Sequence, residues 1–123
     1  MLDSASVIGF VPTKDFRRAM SFYGATVGLR FVAEDDFALV FESAGTKIRI
    51  VKVDDFTPHA FTILGWQVDD IQESVASLSE RGVTFERYPW MQQDASAIWT
   101  APGGVRVAWF KDPDGNVLSV SSR

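Results

Sequence analysis

The feature that most constrains the fold of this chain is an order of elements that occurs twice. When Asp15 is placed on Asp70, the apolar residues that follow each aspartate coincide at helical spacing. A short apolar segment precedes each aspartate, and about three extended segments follow each predicted helix. We therefore predict an α+β protein built from two βαβββ modules. Spacing alone leaves one alternative open, which is a chance similarity between two halves of an α+β chain.

A polar connector that contains Pro58 separates the two modules. Module one is predicted to span about residues 5–53, the linker about 54–60 and module two about 61–122. The chain is 123 residues long, which is the size of one domain with a modest core. We therefore expect both modules to belong to a single domain.

Alternation, helical spacing and turn residues predict the elements of each module. In module one they are strands at 6–11, 28–32, 37–42 and 46–53, and a helix that Asp15 opens and that ends near Gly24. In module two they are strands at 62–68, 83–85, 95–100, 105–110 and 117–121, and a helix opened by Asp69 with Gln72 and ended by Gly82. A tight turn is predicted at 112–116.

Composition excludes several classes of function. The chain has no cysteine and a single histidine, His59. Thiolate zinc sites and sites that need two imidazoles from one chain are therefore excluded. The formal charge is −4, and the basic residues are scattered along the chain, so we predict no nucleic-acid partner.

Hydropathy predicts no membrane partner, because no apolar run approaches the roughly 18 residues that span a bilayer. The first residues contain an early aspartate and no basic segment, unlike a secretory signal. We therefore expect a cytoplasmic protein.

The order of these motifs resembles the vicinal oxygen chelate superfamily of glyoxalases, bleomycin-resistance proteins and extradiol dioxygenases. Three segments carry the resemblance, which extends over nearly the whole chain: VPTKDFRRAMSFY at 11–23, DDIQESVASLSERGV at 69–83 and FKDPDGNVLSV at 110–120. The resemblance implies that the two modules form a curved mixed sheet around a cavity, often across a dimer. We therefore expect a homodimer.

The resemblance also implies where a metal site would lie, because the superfamily takes metal ligands from fixed strand positions. In this chain those positions are occupied by Ile8, Ile63, Ser119 and Arg49. Two apolar groups, a hydroxyl and a cation cannot hold a divalent ion, and a shift by one residue supplies no ligand set. We predict a metal-free protein with no cofactor and no assigned catalytic residue.

Strand alternation, taken with the implied cavity, predicts which side chains face a ligand. The candidate ligand-binding residues are Ile8, Phe10, Arg49, Ile63, Gln67, Trp90, Trp99, Trp109 and Ser119. The residues predicted to pack under the helices instead are Ile48, Ile50, Leu64, Trp66, Leu118 and Val120. The sequence does not decide whether Trp109 or Phe110 faces the cavity.

Three of these candidates have alternative interpretations. Trp99 lies on a predicted strand whose alternation the sequence does not fix, so it either lines the cavity or packs against the sheet. Arg49 either binds a ligand carboxylate or ring, or has no ligand role. In the second case it forms a salt bridge with Glu42 or another neighbouring acid or is simply exposed to solvent, and we favour this second case. Trp90 either contacts a ligand or a dimer partner, or anchors its loop to the sheet.

These observations predict a metal-free protein that binds a hydrophobic or aromatic small molecule, in the manner of the resistance-type branch of the superfamily. The alternative is an enzyme of the same fold, a glyoxalase-like lyase or isomerase or a dioxygenase with an atypical or metal-independent site. Its acid–base roles would fall on Arg49, Gln67, His59 and Ser119. A third interpretation is an accessory dimerisation module with a vestigial pocket. The sequence leaves these choices open and favours binding over catalysis.

Overall fold

Two four-stranded mixed sheets form the framework of the protein. The computed structural model describes all 123 residues, and their contacts define two units, residues 1–57 and 58–123. The first unit contains β1 (Ile8–Thr13), α1 (Phe16–Met20), a π-helical segment (Ser21–Thr26), β2 (Arg30–Glu34), β3 (Ala38–Ser43) and β4 (Thr46–Lys52). The second contains β5 (Thr62–Gln67), α2 (Ile71–Glu80), β6 (Trp99–Thr100), β7 (Arg106–Lys111) and β8 (Val117–Ser122). A 3₁₀ turn at Leu2–Ser4 precedes β1.

The two sheets have the same topology. Their strand orders are β1-β4-β3-β2 and β5-β8-β7-β6. In each sheet the first strand pairs in parallel with the last, and the other neighbours are antiparallel. The predicted α+β class with two strand–helix–strand modules is therefore confirmed. No helix in the structure is both long enough and apolar enough to span a lipid bilayer.

In the first unit, one face of the sheet packs against the helical segments. Tyr23 from the π-helical segment lies 6.2 Å from the ring of Phe41 on β3. The strand residues buried on this side are Val11, Leu39, Phe41, Ile48 and Ile50. The opposite, helix-free face carries Ile8 and Phe10, which are 49% and 63% exposed.

In the second unit, the sheet packs against α2 through Ile71, Val75 and Leu78 of the helix. The strand residues buried on that side are Ala108, Phe110, Leu118 and Val120. Trp66 lies on the same side, with its ring 6.4 Å from that of Phe110 and nearly parallel to it. Because neighbouring residues of a strand point to opposite faces, the partly exposed Trp109 lies on the helix-free face.

Aspartate side chains start both α-helices. Asp15 accepts hydrogen bonds from two backbone amides of the first helical turn, and Asp70 accepts one. The prediction that Asp69 opens α2 together with Gln72 was therefore wrong by one residue. The predicted end of α2 is confirmed, since Gly82 has a φ of +96° and its amide donates to the carbonyl of Ser79.

Several element boundaries differ from the prediction. β1 continues through Pro12, which is tolerated because β1 is an edge strand of its sheet. The first helix passes the expected end at Gly24, because a π-helical segment continues it to Thr26. Residues 83–85 form only one bridge, between Phe85 and Phe110, instead of a strand.

The strand predicted at 95–100 shrinks to the two residues of β6. Asp94 accepts hydrogen bonds from the amides of Ser96 and Ile98, both at 2.9 Å. Ala97 between them has a φ of +65°. The side chain of Asp94 thus holds a local turn in place of a strand ladder.

The turn between β7 and β8 is built on a buried aspartate. The Oδ1 atom of Asp112 accepts hydrogen bonds from the amides of Asp114 and Asn116, both at 2.9 Å. Its Oδ2 atom accepts a hydrogen bond from Nδ2 of Asn116 at 2.8 Å. This turn leads into a register in which Trp109 lies opposite Ser119.

We predict that Asp112→Ala destabilises the protein by about 2–4 kcal/mol, because buried donors in the turn lose their acceptor. Asp36→Ala, which removes an exposed acid from another turn, is the matched control and should change stability by less than about 0.5 kcal/mol. Urea unfolding measures both values. Equal stability of the two variants would contradict the role of the Asp112 turn.

Candidate ligand-binding site

Four aromatic side chains of the second unit form one contiguous group, called here the aromatic cluster: Tyr88, Trp90, Trp99 and Trp109. The ring centroids are 5.1 Å apart for Tyr88 and Trp90, 5.8 Å for Tyr88 and Trp109, and 6.1 Å for Trp99 and Trp109. The structure thus brings together three tryptophans that the sequence suggested separately. It also adds Tyr88, which the sequence analysis missed although it lies two residues before Trp90.

Strand register and one hydrogen bond position the two central indoles. Trp99 lies opposite Val107, which is two residues from Trp109 on β7 and on the same face. The indole Nε1 of Trp109 donates a hydrogen bond to Oγ1 of Thr62 at 3.1 Å. Its polar edge is therefore satisfied by the protein, while part of its surface stays exposed.

The loop that carries Tyr88 and Trp90 is braced by Gln93. The side-chain oxygen of Gln93 accepts a hydrogen bond from the amide of Tyr88 at 2.8 Å. Its side-chain nitrogen donates to the carbonyls of Glu86 and Ala97 at 2.9 Å and 2.8 Å. Trp90 therefore lies on an internally braced loop although it is 77% exposed.

Small and polar residues lie beside the cluster on the helix-free face. Ser119 is opposite Trp109 on one side and opposite Gly65 on the other, and Gln67 is opposite Ser121. A Cβ atom at position 65 would lie only 2.6 Å from Oγ of Ser119. The close approach of these two strands therefore requires glycine at position 65 while Ser119 keeps this rotamer.

Ile63 differs from the other candidates because strand alternation fails at its position. The β5–β8 register shifts between Thr62 and Leu64, so Ile63 has no residue directly opposite it. The orientation predicted for Ile63 assumed strict alternation, and this bulge removes that basis. Ile63 is partly buried.

Ile8, Phe10 and Arg49 lie on the helix-free face of the other sheet, where Phe10 is directly opposite Arg49. The Nη2 atom of Arg49 donates to Oδ2 of Asp35 at 3.1 Å. Arg49 therefore forms a salt bridge, one of the two non-ligand interpretations that we favoured, and its partner is Asp35. Glu42 instead pairs with Arg30.

Asp35 is held in its charged form by several donors. The amides of Phe37 and Ala38 each donate to it at 2.8 Å, and with the Arg49 guanidinium they lower the pKa of the Asp35 carboxyl. Arg49 thus serves first to complete a turn, and only its remaining donors are available to a ligand.

The residues at the superfamily's metal-ligand positions do not fit a divalent cation. Those positions carry two aliphatic side chains, the hydroxyl of Ser119 and the paired cation of Arg49. No group of three or more His, Asp or Glu side chains is arranged to hold a metal ion. The exposed ring of His59 stacks on Phe61 at 4.7 Å.

We predict that Gly65→Ala destabilises the protein by about 1–3 kcal/mol through overpacking against Ser119. In the double variant Gly65→Ala/Ser119→Ala, the Oγ atom of Ser119 is absent, and it is the only atom that would lie closer to the new Cβ than ordinary van der Waals distance. The double variant should therefore recover most of the stability that Gly65→Ala loses. Urea unfolding of both single variants and the double variant measures the coupling. Additive losses would contradict the close approach.

Asp35 gives a prediction for pH dependence. Because the folded-state pKa of Asp35 is lowered, its stabilising contribution is present above the ordinary aspartate pKa and is lost as pH falls through the lower folded value. The unfolding free energies of the parent and of Asp35→Asn should therefore differ at about pH 6 and converge toward about pH 2. A difference that stays constant with pH would contradict this assignment.

Comparison with known proteins gives one family and a set of similar folds. A family model described as the Glyoxalase/Bleomycin resistance protein/Dioxygenase superfamily matches residues 5–120. The protein YraH of Bacillus subtilis (strain 168) is 26% identical over 122 residues, covering 86% of this chain and 88% of YraH.

Three solved structures illustrate the range of similar proteins. A superfamily member from Sphaerobacter thermophilus DSM 20745 has a TM-score of 0.79 at 24% identity, with full coverage of both chains. TnmS3, an antibiotic binding protein from Streptomyces sp. CB03234, has a TM-score of 0.69 at 30% identity, covering 99% of this chain and 98% of its own. Lactoylglutathione lyase from Agrobacterium tumefaciens has a TM-score of 0.71 at 17% identity, covering 97% and 93%. At that identity, the likeness to the lyase shows the fold alone.

Proposed function

The chain belongs to the Glyoxalase/Bleomycin resistance protein/Dioxygenase superfamily, and we propose that it binds and sequesters a hydrophobic, aromatic small molecule without converting it. The observation that carries this proposal is the aromatic cluster on the helix-free side of the second sheet. The similarity to TnmS3, described as an antibiotic binding protein, supports the same kind of function.

The geometry of the cluster suits a flat ligand. Its rings are partly or largely exposed, so they offer apolar surface that a ligand ring can cover. The hydroxyl of Ser119 and the amide of Gln67 supply a few polar groups on the same face, which can orient the ligand. Such a combination of much apolar surface and few polar groups is typical of small-molecule sites.

The chemistry of the cluster favours binding over acid–base catalysis. Its one titratable side chain is Tyr88, and burial, together with the negative charge of Glu86, raises the pKa of that phenol. Tyr88 therefore stays protonated at neutral pH and can donate a hydrogen bond, but it is a poor general base.

A homodimer is part of the proposal. The superfamily resemblance implies it, and the exposed apolar side chains Phe10 and Phe37 of the first unit supply surface that a second copy could cover. Light scattering after size-exclusion chromatography tests this: a mass of one chain would contradict it. Cytoplasmic location and the assignment of both units to one domain stay predictions.

We predict that Trp99→Ala and Trp109→Ala each weaken binding of 1-aminoanthracene, a flat fluorescent probe, by about tenfold, since a ring contact contributes about 0.5–1.5 kcal/mol beyond its area. Phe61→Ala is the control, because it removes an exposed aromatic ring of the same unit outside the cluster. Fluorescence titration gives the dissociation constants. Unchanged affinity in both tryptophan variants would refute the cluster as the site.

The proposed metal independence has its own test. Chelator-treated protein should keep its unfolding midpoint when Zn²⁺, Ni²⁺, Co²⁺ or Mn²⁺ is added. Binding at about one hundred times the dissociation constant would instead add roughly 2.7 kcal/mol, a shift of several degrees. A saturable rise with one ion would favour the alternative, a glyoxalase-like or dioxygenase enzyme with an atypical site.

A further inference from the structure

A groove of about 480 Å³ lies on the helix side of the second unit's sheet, away from the aromatic cluster. Helix α2 forms one wall, and residues 83–87 and 95–97 form the other. Its volume lies within the roughly 300–1,000 Å³ of small-molecule sites. Neither the proposed function nor the superfamily resemblance accounts for this groove.

The floor of the groove is apolar and well packed. Val75 and Ala97 are almost fully buried there. The ring of Phe85 lies 5.4 Å from that of Phe110 in an edge-to-face contact, which connects the groove to the core. A ligand in the groove would therefore rest on apolar side chains that are packed against the core.

The guanidinium of Arg87 places a positive charge at the edge of the groove. The Nη2 atom of Arg87 donates to the carbonyls of Asp94 and Ala95, both at 2.9 Å. Arg87 has no carboxylate at salt-bridge distance, whereas Arg30 and Arg49 are both paired with acids. Its Nε and Nη1 donors therefore have no protein acceptor.

The position of Arg87 is fixed before any ligand binds. Its two carbonyl acceptors belong to the turn that Asp94 organises, and Gln93 braces the same loop from within. A guanidinium held in this way loses little freedom when an anion binds, so the cost of association is low. Its Nη1 amine stays available for a charge-assisted hydrogen bond to one carboxylate oxygen, because only Nη2 is engaged by the loop carbonyls.

We propose that this groove is a second binding site, for a small molecule with an apolar body and one carboxylate. Arg87 holds the carboxylate through Nη1. The apolar body lies over Val75, Phe85 and Ala97. Hydroxyls at the groove, such as those of Ser79 and Thr84, are available to a ligand oxygen. The site is independent of the aromatic cluster, which lies on the other side of the sheet.

Octanoate is the test ligand, and octan-1-ol is its uncharged counterpart. In NMR titrations of the ¹⁵N-labelled protein, octanoate should shift the amide signals of residues 83–87 and 95–97. Octan-1-ol should bind with a dissociation constant at least tenfold higher than that of octanoate. Arg87→Gln should weaken the binding of octanoate at least tenfold and leave the binding of octan-1-ol unchanged.

Two substitutions in α2 test whether octanoate binds in the groove itself. They are needed because Arg87→Gln could also weaken binding by altering the loop that Arg87 braces. Ala76→Phe fills the groove from an exposed helix position and should abolish octanoate binding, whereas Gln72→Phe, exposed one turn earlier, should not. Trp99→Ala should also leave octanoate binding unchanged.

The proposal is overturned if octanoate does not bind, if octan-1-ol binds equally well, or if Ala76→Phe has no effect. Loss of 1-aminoanthracene binding in Trp99→Ala bears only on the aromatic cluster.

Discussion

The register between β7 and β8 is the constraint on which the rest of the second unit depends. The buried Asp112 carboxylate closes the turn between these strands, and the pairing beyond it sets Trp109 against Ser119 and Phe110 against Leu118. A slip of one residue would place the indole in the core and the phenylalanine on the helix-free face. One turn therefore decides which aromatic ring stabilises the fold and which is available to a ligand.

Much of the fold could be predicted from the sequence, because alternation and helix spacing encode which face of each element is buried. Ile48, Ile50, Leu118 and Val120 all lie in the core as predicted. The predictions failed where local hydrogen bonds compete with regular structure. Asp94 converts most of a predicted strand into a turn, and a π-helical segment carries the first helix past Gly24.

The candidate site could be predicted only in part. Its three tryptophans were recognised from their residue type, but the contact between the loop at Trp90 and β7 joins positions far apart in sequence. Tyr88 was missed because nothing in the sequence shows that Gln93 braces that loop. The bulge at Ile63 and the choice of Asp35 as the partner of Arg49 likewise depend on strand register, which periodicity does not specify.

The indole NH signals of the four tryptophans in a ¹⁵N NMR spectrum show whether the aromatic cluster is the ligand site, because each tryptophan reports on its own surroundings. On addition of 1-aminoanthracene, the indole NH signals of Trp90, Trp99 and Trp109 should shift. The signal of Trp66, which lies on the helix side beside Phe110, should stay in place. Shifts at Trp66 alone, or no shift in the other three at a concentration where the probe binds, would contradict the aromatic cluster as the ligand site.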